Sequence, residues 1–235
     1  MLYDRRCLYL TEEEINEKLE RQMPYAVRLL VPKESAFSKD VTIWEDIIQG
    51  RIEFKNELID DQVLLKSDGN PTYHLANVID DHLMEITHVI RGKEWLNSTP
   101  KHLILYDKLG FKPPAFAHLP LMLSPRGGKM SKREKEVSIR NFQIMGYNPD
   151  ALVNSVALLG WRSQRHEKNP ASLEQTESYY RAEYFSKKDL IEEFDLRRIG
   201  KNDVKMDHSR FIFLNGEHLR REYYFFNRKE RGEVL

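Results

Sequence analysis

The fold is decided by residues 72–121, TYHLANVIDDHLMEITHVIRGKEWLNSTPKHLILYDKLGFKPPAFAHLPL. Thr72 to Leu83 carries apolar residues at helical spacing, with Leu75, Val78 and Ile79 on one side. Ile86 to Ile90 is a β-branched run, which predicts a strand. Asn97-Ser98-Thr99-Pro100 then opens a second helix: Ser or Thr can cap it, Pro100 stands near its first turn, and Gly110 ends it. Ala115 to Leu121 predicts the next strand. Helix, strand, helix and strand in this order make half of a doubly wound parallel sheet. The other half of such a sheet is expected before residue 1, because too little chain follows to supply it.

Working outward, the N-terminal side predicts a small mixed α/β unit over about the first 65 residues. Residues 11–22 (TEEEINEKLERQ) predict a polar helix, with Thr11 as N-cap and Glu14 as its capping-box partner. Pro24 stops it. Tyr25 to Val31, Arg51 to Phe54 and Gln62 to Lys66 predict short strands, and 33–40 a loop. Ser67-Asp68-Gly69-Asn70-Pro71 is a strong turn signal. On the C-terminal side, a loop (SPRGGKMSKREKE) follows Leu123. Helical segments are expected near 139–146, 149–159, 187–194 and 203–219, with a polar stretch at 163–178. This third region predicts an α-helical module. The tail 220–235 (RREYYFFNRKERGEVL) is basic and aromatic, a composition that can bind single strands, but it is expected to be poorly ordered.

Composition narrows the classes. The 235 residues suffice for one large domain or two modest ones, and 40% are hydrophobic, so a core can form. The 37 basic and 37 acidic residues balance. That argues against a polybasic coating role without excluding local nucleic-acid contacts. Cys7 is the single cysteine, so no intrachain disulfide can form. No apolar run approaches the ~20 residues that span a bilayer, and no membrane partner is expected. The first residues lack the apolar stretch of a signal peptide. His74, His82 and His88 make no metal-ligand pattern and are expected to be structural.

Two segments carry chemistry. In Arg126-Gly127-Gly128-Lys129-Met130-Ser131-Lys132-Arg133, two glycines permit a tight turn, and four cations within eight residues can offset charge on a polyphosphate. Upstream, Tyr73 and Asn77 are four apart and share a helix face. Arg91 follows the strand ITHVI at its C-terminal end, the edge where open α/β sheets bind ligands. An arginine there can grip a carboxylate through two parallel bonds. Trp95 can supply an apolar wall. Each residue also has a plainer explanation: core aromatics for Tyr73 and Trp95, a cap or satisfied amide for Asn77, and an ion pair with Glu94 or Asp80 for Arg91.

These segments resemble the glutamyl-tRNA synthetases, class I aminoacyl-tRNA synthetases of the bacterial and mitochondrial type. The resemblance rests on Lys129-Met130-Ser131-Lys132 followed by Arg133, on the run Lys66 to Asn77, on Thr87 to Trp95, on Pro113 to Met122, and on Leu159-Gly160-Trp161. It runs from about residue 1 to 219. It implies an α/β fold: the second half of a Rossmann-like nucleotide-binding domain, preceded by a small α/β insertion and followed by an α-helical stem-contact module. The implied regions are the C-terminal part of a tRNA acceptor-binding insertion at 1–70, the half-domain at 71–123, the KMSK loop and helical module at 124–219, and an atypical tail at 220–235. The N-terminal half with its HIGH motif and the anticodon-binding domain are expected to be missing.

By the same resemblance, Tyr73, Asn77, Arg91 and Trp95 surround glutamate, with Arg91 on its side-chain carboxylate. Glu94, Leu121 and Met122 lie near the ribose and adenine of ATP. Lys129, Met130, Ser131 and Lys132 bind ATP, and the two lysines act catalytically on the triphosphate. The implied activity is glutamate-tRNA ligation with ATP and Mg²⁺, on tRNA(Glu), by a monomer, in the mitochondrial matrix in preference to the bacterial cytoplasm. The chain alone is expected to be inactive for want of the HIGH half. Some relatives bind zinc through a CxC pair followed by Tyr-x-x-x-Cys; Tyr3 and Cys7 match only the latter half, so no zinc is expected. The alternatives are a glutamyl-queuosine-type tRNA-modifying relative and a non-catalytic RNA-binding remnant.

Overall fold

A computed structural model of the chain describes residues 3–32, 40–124, 138–164 and 183–230. They fall into two compact units, Met1–His118 and Leu119–Leu235.

In the first unit, the predicted capping box forms. The Glu14 N–H donates to the Thr11 hydroxyl at 3.2 Å, and the Thr11 N–H to the Glu14 carboxylate at 2.9 Å. It starts α1 (Glu12–Glu20), whose side chains are all exposed. The strand expected over Tyr25–Val31 is reduced to β1 (Val27–Arg28), antiparallel to β4 (Val63–Leu65). Arg5 pins this region, donating to both Asp61 oxygens at 2.5 and 2.8 Å and to the Val31 carbonyl at 2.7 Å.

The main sheet has four strands in the order β3-β2-β6-β5. Its outer hairpin is β2 (Val41–Asp46) and β3 (Gly50–Lys55), antiparallel, with Trp44 opposite Ile52. Strand β2 was not anticipated from the sequence. It pairs in parallel with β6 (Ala115–Leu119) through Asp46 and Phe116. The Ala115 N–H, at the start of β6, donates to the carbonyl of Thr87, just before β5 (His88–Gly92). Those two strands therefore run the same way. The helices α2 (Tyr73–Leu83) and α3 (Thr99–Lys108) precede and follow β5, as predicted, and pack on each other. Gly110 takes a left-handed φ of +68° just past α3, the C-terminal turn its identity implies. The expected side-chain cap of α3 does not form at Ser98, although Pro100 stands in the first turn. One hydrophobic cluster runs through the unit. It joins Leu29, Val31, Trp44 and Ile59 to Val78, Leu105, Tyr106 and Phe116. The N-terminal stretch thus shares its core with the predicted helix–strand–helix–strand segment.

In the second unit, β7 (Met122–Leu123) pairs in parallel with β8 (Val204–Lys205). The strand expected to run to Leu121 stops at Leu119, before Pro120, which cannot donate to a ladder. Then come α4 (Ile139–Ile144), α5 (Pro149–Ala157), α6 (Lys187–Glu193) and α7 (His208–Glu230). Asn148 caps α5 and a Ser186–Asp189 capping box starts α6. Buried Asn154 accepts from the Phe185 N–H at 2.9 Å and donates to the Glu183 carbonyl at 3.1 Å, tying α5 to the segment before α6. The tail expectation needs correction: helix α7 continues through residues 220–230. No Gly or Pro interrupts RREYYFFNRKE, and Glu217 pairs with Arg220 and Arg221 one turn on.

Candidate functional site

The C-terminal ends of three parallel strands converge in the first unit. Strand β2 ends with Asp46, β6 carries His118 near its end, and Arg91 is the next-to-last residue of β5. This is the sheet edge at which open α/β folds place ligands. Tyr73, His74 and Asn77 come from α2, Trp95 from a 3₁₀ helix (Lys93–Ser98) and Thr99 and His102 from α3.

Arg91 is at the centre. Its Nε–H donates to His118 Nε2 at 3.1 Å, and Nη2 donates to the Thr99 hydroxyl at 2.9 Å. Nη1 lies 3.4 Å from His102 Nδ1. The guanidinium carbon stands 5.6 Å from the Phe116 ring centre and 5.9 Å from that of Trp95, within cation–π range. The pairing considered from the sequence, with Glu94 or Asp80, does not form; no carboxylate pairs with Arg91 among the described residues. Burial lowers its pKa from the ordinary arginine value, partly offset by Tyr73, Asp81 and Asp46.

A second layer lies beneath. His118 Nδ1 is 2.5 Å from an Asp46 oxygen, and both side chains are wholly buried. The other Asp46 oxygen accepts from the N–H groups of Ile48, Gln49 and His118 at 2.9–3.1 Å. Burial alone would raise the Asp46 pKa. The bonds from His118 and those backbone groups outweigh it and hold the carboxyl below its usual range. His74 Nδ1 is 2.9 Å from His102 Nε2. Burial, with the Arg91 charge beside it, pushes the His102 pKa down to about 3. His74 is lowered too, first by burial and then by Lys101 and Arg91. Both imidazoles are neutral near pH 7.

Above Arg91 the surface is open. Tyr73 is 51% and Trp95 37% exposed, enough to meet a ligand, and their rings pack at 5.1 Å. Of the residues singled out in the sequence, Tyr73, Arg91 and Trp95 come together. Asn77 lies one turn along α2 and is partly buried. Glu94 is exposed, with its carboxyl folded over Gly92. Leu121 and Met122 belong to the second unit, where the Leu121 N–H donates to Asp203 at 2.8 Å and Met122 is half exposed in β7. Lys129, Met130, Ser131 and Lys132 lie outside the described residues. Asp46, Thr99, His102 and His118 were missed from the sequence as site residues. The one signal was a lone histidine in the apolar run AFAHL, which more often marks a satisfied core residue. The hydroxyl of Thr99, read as a possible cap, instead accepts from Arg91 and lies 3.1 Å from His118 Nε2.

Among the described residues no group of three or more His, Cys, Asp or Glu is placed to hold a metal ion, and no helix is long and apolar enough to cross a membrane.

The tRNA synthetases class I (E and Q) catalytic-domain profile matches residues 1–200. A glutamate--tRNA ligase of Chlorobaculum parvum is 45% identical over 212 residues, covering 90% of this chain and 38% of that protein. One from Chlamydia muridarum is 44% identical over 220 residues, 94% of this chain and 40% of that protein. The chain thus spans about two fifths of these relatives. Among solved structures, a glutamate tRNA ligase from Elizabethkingia meningosepticum, in complex with its amino acid, matches with a TM-score of 0.75 at 34% identity. The match covers 93% of this chain and 44% of that one. The glutamate-tRNA synthetase of Elizabethkingia anophelis matches with a TM-score of 0.76 at 32% identity, covering all of this chain and 49% of that one.

Proposed function

The chain belongs to the class I tRNA synthetases for E and Q, a family of ligases, and from that premise we propose that it serves glutamate-tRNA ligation and holds the glutamate-binding part of the site. The observation that carries this is Arg91: a half-buried guanidinium at a ligand-binding sheet edge, walled by Tyr73 and Trp95, with no carboxylate pairing with it among the described residues. Such a group is suited to a carboxylate ligand. Arg91 takes the side-chain carboxylate of glutamate, and Tyr73, Trp95 and Asn77 complete the wall and polar rim. A glutamine side chain would leave the guanidinium without its anion, a costly mismatch.

The reaction has two steps. The glutamate α-carboxylate attacks the α-phosphorus of ATP, which arrives with its Mg²⁺, and pyrophosphate leaves. The terminal ribose hydroxyl of tRNA(Glu) then takes the glutamyl group. The chain's part is alignment and charge stabilisation. Glu94, Leu121 and Met122 serve the nucleoside of ATP. Lys129, with Met130, Ser131 and Lys132, serves the triphosphate. Residues 1–70 are assigned to the acceptor-binding insertion, 71–123 to the catalytic half-domain and 124–219 to the stem-contact module of a monomeric enzyme. The relatives are bacterial, which leaves the preference for the mitochondrial matrix without support.

The test is tRNA charging by the protein that carries this chain. ATP-dependent attachment of labelled glutamate, with glutamine and aspartate rejected, is expected. Attachment of another amino acid, or glutamate activation followed by transfer to a site other than the tRNA 3′ end, would refute the assignment.

A further inference from the structure

The arrangement under Arg91 bears on how that arginine is kept ready for an anion. Two histidines face it, and hydrogen-bond logic fixes the proton on each. His118 Nε2 receives the Arg91 Nε–H, so it carries no proton, and its single proton sits on Nδ1, aimed at Asp46 2.5 Å away. His102 has the opposite arrangement. Its Nδ1 faces Arg91 Nη1, so its proton sits on Nε2 and is donated to His74 Nδ1 at 2.9 Å. An imidazolium at either position would aim an N–H at the guanidinium.

We infer that Asp46 and His118 are positioning residues for Arg91, and that His118 and His102 hold it as opposite neutral tautomers so that its charge stays available to a carboxylate ligand. The geometry favours this over a merely satisfied core. The buried carboxylate nearest His118 is not set against the guanidinium, the usual bidentate pairing of Asp and Arg. A neutral ring stands between them. Direct pairing would neutralise Arg91 and compete with an incoming carboxylate. The interposed imidazole instead fixes the Nε–H direction, while Thr99 fixes Nη2 at 2.9 Å. Asp46 determines which His118 nitrogen is the acceptor, much as outer-shell carboxylates fix the tautomer of metal-ligating histidines. Burial and the Arg91 charge keep His102 neutral. The inference rests on the reading of Arg91 as the glutamate-binding group.

The experiment has two arms. In the first, the 235-residue chain is labelled with ¹⁵N-histidine and the ring nitrogens are assigned by long-range correlation at pH 7. Nδ1–H at His118 and Nε2–H at His102 are expected. Asp46→Asn should turn His118 into a mixture of tautomers. Protonation of His118 at Nε2, an imidazolium at either residue, or an unchanged His118 in Asp46→Asn would overturn the inference. In the second arm, glutamate and ATP kinetics are measured on the protein that carries this chain. His118→Leu should raise the glutamate KM about tenfold, as for one lost charge-assisted bond, with the ATP KM unchanged. His118→Gln, which returns an acceptor near the Nε2 position, should recover part of the loss. Equal losses in kcat and in both KM values, without rescue by Gln, would mark a structural role and contradict the inference. If the tautomers are as stated but Arg91→Ala leaves the glutamate KM unchanged, the glutamate reading alone fails.

Discussion

Tyr73 and Trp95, 22 positions apart in sequence, pack with ring centroids 5.1 Å apart and planes tilted by 47°. One comes from the first turn of α2 and the other from the 3₁₀ helix after β5, so the pair closes over the strand that carries Arg91. Trp95→Ala removes this wall and the cation–π contact with Arg91. The glutamate KM should rise roughly three- to fivefold, since such contacts contribute about 0.5–1 kcal/mol at partly exposed sites. Far-UV circular dichroism should not change, because Trp95 is outside the core cluster. An unaltered KM would remove Trp95 from the site.

His102 makes the chain sensitive to acid. Its folded pKa is depressed to about 3 from an ordinary value of 6.5, by burial first and then by Arg91. Below pH 6.5 the unfolded chain takes a proton that the folded chain refuses. This contribution to stability is therefore complete above pH 6.5 and is lost progressively as pH falls toward 3. The total is roughly a few kcal/mol for a shift of that size. Urea unfolding of the wild type and of His102→Gln across pH 4–7 checks it. The variant should show the shallower loss of stability; parallel curves would refute the assignment.

How far the sequence carried depended on the range of the interactions. The Thr11–Glu14 capping box, the Gly110 turn and the elements α2, β5, α3 and β6 are set by neighbours a few positions apart, and they were legible. Strand β2 was passed over although its antiparallel partner β3 is local; what no local pattern encodes is the parallel pairing of Asp46 with Phe116. Residues 220–230 were misjudged. As a terminal segment they were expected to be poorly ordered, whereas an unbroken run of helix-compatible residues simply extends α7. Tyr73, Arg91 and Trp95, which the structure brings together, were singled out by local placement and family resemblance. Asp46 and His118 were not, since the bond joining them spans 72 positions and no local pattern encodes it.

In the second unit, Glu183 is fully buried and meets Arg210 through two bonds of 2.6 and 2.8 Å. Arg210→Ala would leave an unpaired buried carboxylate. It should destabilise by about 3 kcal/mol or more, whereas Arg51→Ala, which breaks the exposed pair with Glu53, should cost less than about 1 kcal/mol. Thermal or urea unfolding of both variants tests this contrast, and equal losses would contradict it.

The central claim is that Arg91 binds the glutamate side-chain carboxylate, and steady-state charging kinetics of Arg91→Ala test it most directly. In the protein carrying this chain, the glutamate KM should rise by about a hundredfold, corresponding to some 3 kcal/mol for a charge-assisted pair, and the ATP KM should move little. A glutamate KM equal to that of the wild type would contradict the account.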